Sequence, residues 1–300
     1  MAVHGHRRRG AVVAALTGAA AGLLLVPGCA ERLSGSQDGR DGAVVRSGTA
    51  AQAHDAAVLL DPGGARAALR RASGVLAREG GARVRTSMET VSGGTRLTIR
   101  GRGVYDFARP VGRLIVLVPE DAAGAAEHRP ITEIFTPGAL YMKNRGAGVP
   151  AGSWVRIGTA ALPDGDLLTN GATDPLAAAE LLGGARDVAY VGDDVVDGER
   201  VAHYWGTVDL ARAARVAPAR DRGPLTAAGT GFASGTVAFD AFLDEAGRPR
   251  LLRYRFGVGR PQTPMTVVST VELSDFGSPV DVTLPAPGDI YAGTVASPRK

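Results

Sequence analysis

Few residues in this 300-residue sequence are of types that do chemistry on their own. Cys29 is the single cysteine, so the chain offers one thiol nucleophile and no internal disulfide. Beyond residue 28 the histidines are His54, His128 and His203. A catalytic histidine needs a positioned partner. His54 and His128 lie in polar stretches, and His203 precedes Tyr204 in a strand-like run, where a satisfied hydrogen bond is its expected role. Asp193, Asp194 and Asp197 bring carboxylates together, but without the alternating ligand positions of a calcium loop. They read as a solvated hairpin turn. There is no Gly-x-Ser-x-Gly elbow, no His-Glu-x-x-His, no paired-cysteine site and no P-loop. Gly101-Arg-Gly103 lacks the third glycine of a dinucleotide fingerprint. The reading is therefore no catalytic residue, no metal and no cofactor: a non-enzyme. A hydrolase built on His203 is the catalytic rival.

Composition narrows the class further. The chain is 45% hydrophobic and 21% charged, too apolar for a disordered protein. The 42 glycines and 18 prolines between short β-rich runs point to a turn-rich fold. Lys143 and Lys300 are the only lysines, and the Ala-, Gly-, Val- and Arg-rich usage is similar to that of actinobacteria. The net charge of +4 arises mostly from Arg7, Arg8 and Arg9. Removing residues 1–28 leaves 31 basic against 30 acidic side chains. No basic patch interleaved with aromatics remains, so nucleic acid is not an expected partner.

The Arg7–Arg9 cluster, the uncharged run from Ala11 to Val26 and then Gly28-Cys29 form a leader too short to span a bilayer. Val26-Pro27-Gly28-Cys29 resembles the lipobox of bacterial lipoproteins, with Val26 and Pro27 departing from the usual first two residues. That resemblance implies a signal peptide over 1–28, acylation of Cys29 with palmitate-like chains, and anchorage to the extracytoplasmic face of the cell membrane. The leader leaves the export route open. Residues 29–59 lack apolar periodicity and read as a flexible tether, reaching about 25–30 Å.

The folded part is expected over 60–290, followed by a tail at 291–300. Ala65, Leu69, Ala72 and Leu76 recur at helical spacing up to Gly80-Gly81. Val84, Thr86, Met88 and Thr90 then alternate with polar residues, and Ser92-Gly93-Gly94 turns the chain into a strand over 95–105. Further strands are expected at 113–118, 133–135, 139–143, 153–157, 188–191, 200–208, 234–243, 250–258, 265–276 and 280–284. Asp174-Pro175 opens a helix closed by Gly183-Gly184. Asp209 caps a short helix over 210–216, and 217–230 reads as a mobile loop. Hairpin spacing makes the sheet antiparallel, and the missing βαβ order argues against a nucleotide-binding sheet.

Taken in order, several pieces resemble the LppX/LprG-type lipoproteins of actinobacteria, within the LolA-like superfamily. They are Tyr141-Met-Lys143 before Trp154-Val-Arg156, Asp174-Pro175 with Leu181-Leu182, and Val191-Gly192. Val196-Asp197-Gly198, His203-Tyr204 and Val208-Asp209-Leu210 follow. Phe242-Leu-Asp244, Gly247 with Pro249, and Asp275-Phe276-Gly277 before Pro279-Val280 complete the set. The resemblance spans about residues 60–290. It implies an α+β, mainly β fold: a curved antiparallel half-barrel with helices on its concave face, enclosing an apolar cavity for acyl chains.

The implied function is that of a lipid carrier or presenter in lipid transport, with a lipid or acyl-chain ligand and an envelope protein as a further partner. The alternative is a non-catalytic envelope sensor or protein-interaction module. Candidate cavity-lining residues are Leu114, Val116, Val118, Tyr141, Trp154, Tyr204, Phe239 and Phe242. Strand alternation puts Leu114, Val116 and Val118 on one face and Ile115 and Leu117 on the other.

Overall fold

Alternating apolar and polar residues dominate the chain beyond residue 80, and the fold realises them as one open antiparallel sheet of 11 strands. The computed structural model describes residues 61–92, 94–118, 129–145, 148–169, 171–232, 234–260 and 263–293. Cys29, the leader, the tether, His54 and His128 lie outside them.

The first six strands are β1 (Gly81–Ser92), β2 (Thr95–Asp106), β3 (Val111–Leu117), β4 (Ile131–Thr136), β5 (Ala139–Lys143) and β6 (Trp154–Gly158). The rest are β7 (Ala185–Val196), β8 (Glu199–Asp209), β9 (Thr236–Leu243), β10 (Pro249–Arg260) and β11 (Thr263–Ser274). Their order across the sheet is β6-β5-β4-β3-β2-β1-β11-β10-β9-β8-β7. Two antiparallel runs of sequential strands thus meet at a seam, the second interrupted by two helices between β8 and β9. There β1 pairs with β11, from Arg83 opposite Ser274 to Val91 opposite Thr266. The sheet is a curved half-barrel, with no pairing between β6 and β7.

Among the described residues, four helices serve its concave face. Helix α1 (Pro62–Glu79) is N-capped by Asp61 and buries Ala65, Leu69, Ala72 and Leu76. Helix α2 (Pro175–Leu181) begins at Asp174, whose carboxylate accepts from the Leu176 and Ala177 amides at 2.7 and 3.1 Å. Pro175 at the first helical position gives up an amide that had no helical acceptor. Helix α3 (Leu210–Val216) is capped by Asp209. The helices pack against β7, β8 and β10.

Three local expectations change. Residues expected as a loop at 217–230 form helix α4 (Ala219–Gly231), despite Pro224 in its interior and Gly223, Gly229 and Gly231. Propensity opposes this helix. Burial of Leu225 and Ala228, and packing on α3 and the turn Thr159–Ala161, outweigh propensity. Gly231 permits the approach, since a Cβ there would lie 1.8 Å from the Pro163 carbonyl oxygen. Asp193 and Asp194 lie within β7, because the reversal occurs at Asp197-Gly198, both with positive φ. Residues 280–284 form no strand. The chain instead runs on to Ile290, which bridges Trp154 of β6, and Tyr291 donates to the Trp154 carbonyl at 2.8 Å.

Candidate functional site

Register across the sheet assembles the concave face in rows. One row crosses six strands as Val84, Gly103, Leu114, Glu133, Met142 and Val155. Beyond the seam the same face carries Leu252, Phe239 and Tyr204. Of the residues expected to line a cavity, Leu114, Val116, Tyr204 and Phe239 are buried on this face, and Val118 packs partly buried against it.

Tyr141, Trp154 and Phe242 stand on the other face. The parity of each strand decides this: Tyr141 pairs with Ile134 and Arg156, Trp154 with Lys143, and Phe242 with His203. Arg156 lies over the Tyr141 ring and Lys143 over Trp154. Phe242 stacks on His203 with ring centroids 4.1 Å apart.

Most polar groups on the concave side are satisfied. Tyr254 donates to the Ala178 carbonyl of α2 at 2.6 Å, and Tyr105 to the Asp174 carboxylate at 3.1 Å. The Thr173 hydroxyl donates to the Leu167 carbonyl at 2.7 Å and lies 2.6 Å from the Ser269 hydroxyl. These bonds hold α2 and the chain between β6 and α2 over the sheet.

Two groups are exceptions: the Thr86 hydroxyl, buried on β1 without a partner, and Glu133. The Glu133 side chain is 0% exposed, and neither carboxylate oxygen has a hydrogen-bond partner. Its neighbours on the face are Leu114 and Met142 across the strands, and Ile131 and Phe135 along its own. All four are buried. Loss of solvation pushes its pKa up to about 8, against a weaker opposing pull from Arg145. Glu133 is therefore chiefly a neutral acid at pH 7. The sequence alone puts Glu133 on a short strand and assigns it no role. The available signal is Ile131-Thr-Glu133-Ile-Phe135, which sets a carboxylate in phase with apolar, inward positions.

A second group of buried carboxyls lies at the helices. Burial pushes Asp174 up to about 6 against its backbone hydrogen bonds, and the charge of Asp221 adds to the rise. Burial, then Asp221, push Glu180 up to about 7, while Arg220 pulls it down. Arg220 bridges Glu180 at 3.3 Å and Asp221 at 3.0 Å. The group ties α2 to α4.

His203 bonds Asp240 through Nε2 at 3.0 Å, and Asp240 also receives Arg255 at 3.0 Å. Replacing His203 with alanine should cost about 1 kcal/mol, from one hydrogen bond and one ring stack, and leave ligand binding unchanged. Chemical denaturation and a binding isotherm on the purified variant check this; loss of a hydrolytic activity would revive the catalytic reading. Asp193 is held by Tyr190 and Arg200, which keep its pKa low. Among the described residues no cluster of His, Cys, Asp and Glu is arranged to hold a metal. Among them, too, no helix is long and apolar enough to cross a membrane.

No family model matches the chain, and no curated protein matches it. Solved structures do. The chain is similar to the lipoprotein LppX of Mycobacterium tuberculosis, at 10% identity over 74% of this chain and 100% of that one, with a TM-score of 0.44. It is similar to LprF of Mycobacterium bovis at 15% identity, over 74% and 97% of the two chains, with a TM-score of 0.40. A LolA superfamily protein of Nitrosomonas europaea follows at 12% identity, over 70% and 91%, with a TM-score of 0.32.

Proposed function

We propose that this chain binds acyl chains between the concave face of its sheet and the segments that roof it, and acts as a lipid carrier or presenter outside the cytoplasm. The observation that carries the reading is the construction of the roof. Helices pack on β7, β8 and β10, whereas the chain between β6 and α2 reaches the other half of the sheet at single points. Gly171 of that chain lies against Ile99, and Arg145 reaches the Thr169 carbonyl at 3.4 Å. The same face carries the row from Val84 to Val155, apolar but for Glu133. Loop backbone opens at lower cost than a packed helix. Each acyl methylene buried beneath it contributes about 0.8 kcal/mol. No side-chain chemistry is required for such a carrier.

Acylation of Cys29 behind a cleaved leader, with residues 29–59 as tether, would place this interior near a membrane surface. Native mass spectrometry with organic extraction, on the full chain purified from a secreting bacterial host, tests the reading. Lipid at one or two copies per chain is the expected result. A lipid-free mass with no uptake of added phospholipid would transfer the assignment to a protein-interaction module.

A further inference from the structure

We propose that Glu133 seats the uncharged oxygen of an amphiphile, a hydroxyl or an ester carbonyl, inside the β1–β5 half of the sheet. The proposal rests on the lipid-binding reading and names the ligand group that the interior selects. Three observations carry it. The carboxyl is completely buried, and both its oxygens are unpaired. It stands in the middle of the apolar row, between Leu114 and Met142. Of the other buried hydroxyls on this side, Tyr105, Thr173 and Tyr254 are already engaged, and Thr86, in the adjacent row of the face, is unpaired as well.

An unpaired buried carboxyl costs free energy unless a partner completes it. The chemistry of that partner follows from the surroundings. A neutral carboxyl offers one O–H donor and one carbonyl acceptor. An anionic head would meet four apolar neighbours and only one charged group acting at a distance, Arg145. An ammonium would need the carboxylate form, and no further acceptors lie beside it to complete its bonds. A hydroxyl or ester oxygen needs neither charge nor solvent. It can accept the Glu133 proton, and a hydroxyl can also return one. Pure hydrocarbon would fill the row but leave the carboxyl unpaired.

The test uses the full chain, monoolein as the oxygen-bearing probe and squalene as the hydrocarbon, with Glu133→Gln and Glu133→Met as variants. Glutamine keeps a donor and an acceptor, whereas methionine keeps the volume and removes both. Monoolein affinity should fall about tenfold in Glu133→Met and within about threefold in Glu133→Gln, by the loss of roughly one hydrogen bond. Squalene affinity should not fall in either. Monoolein affinity of the native chain should also drop above pH 8, as the carboxyl ionises, and stay level in Glu133→Gln. Equal monoolein affinity in all three proteins would overturn the assignment of Glu133 and leave lipid binding standing. Failure of all three to bind either probe would overturn both.

Discussion

Alanine at position 103 is expected to lower the stability of the domain by about 3 kcal/mol or more, close to the upper end of overpacking effects. A Cβ there would lie 1.9 Å from the Arg113 carbonyl oxygen and 2.9 Å from the Leu114 Cα. Both atoms are backbone of the neighbouring strand, so no rotamer change relieves the clash. Relief requires β2 and β3 to part, at the row that holds Leu114 and Glu133. For a domain of this size the loss corresponds to a Tm lower by about 6–12 °C. Gly257 is the control. It is exposed on β10, and a methyl group added there would meet nothing within 4 Å, so Gly257→Ala should be neutral or stabilising by up to about 1 kcal/mol. Thermal melts of the two variants side by side decide the matter, and equal melting points would show that β2 and β3 yield freely.

The second large effect concerns pH. Glu133, Glu180 and Asp174 all hold their protons more tightly in the folded chain than an unfolded carboxyl does, which titrates near 4. The folded state therefore binds more protons than the unfolded state between about pH 4 and pH 8. Stability contributed by these groups is complete below pH 4 and is lost as pH rises through about 6, 7 and 8. The carboxylates Asp106 and Asp193 lean the other way, with lowered pKa values that withdraw stability at acid pH. The net expectation is a Tm maximum near pH 5 and a decline towards pH 9.

Glu133 dominates that decline. Its rise from the ordinary glutamate range to about 8 corresponds to roughly 3–5 kcal/mol. Glu133→Met removes an unpaired carboxyl and keeps the volume of the row. It should raise stability at pH 8 by several kcal/mol, raise it at pH 5 by about 1–2 kcal/mol, and flatten the profile between them. Urea denaturation across pH 5–9 measures this. A variant with the native slope would place the decline in the Asp174–Glu180–Asp221 group instead.

Legibility of the sequence follows the source of each element's stability. Strands with a regular period and hairpins with Gly, Asp or Pro at the turn are readable, because local pattern and tertiary role agree there. So are the α1 stripe and the Asp174-Pro175 and Asp209 starts, whose capping is local chemistry. Helix α4 is not readable. Its proline and glycines argue against a helix, and only the neighbours at Ala160, Pro163 and α3 supply the reason for one. Residue type suggests an inward place for Tyr141, Trp154 and Phe242, whereas strand parity sends them outward. For Glu133 the sequence offers only its phase with Ile131 and Phe135; the rest depends on Leu114 and Met142, which reach it through register.

The seam between β1 and β11 has a kinetic consequence. Nearly 200 residues separate Arg83 from its partner Ser274, so the central pairing of the sheet has one of the largest sequence separations in the domain. Each run of strands pairs mostly with its sequence neighbours, but the two cannot join into one sheet until β11 is available to pair with β1. Long-range pairing of this kind slows folding, since loop-closure entropy is spent before the contacts form. The order of assembly is set by the position of the last strand in the sequence.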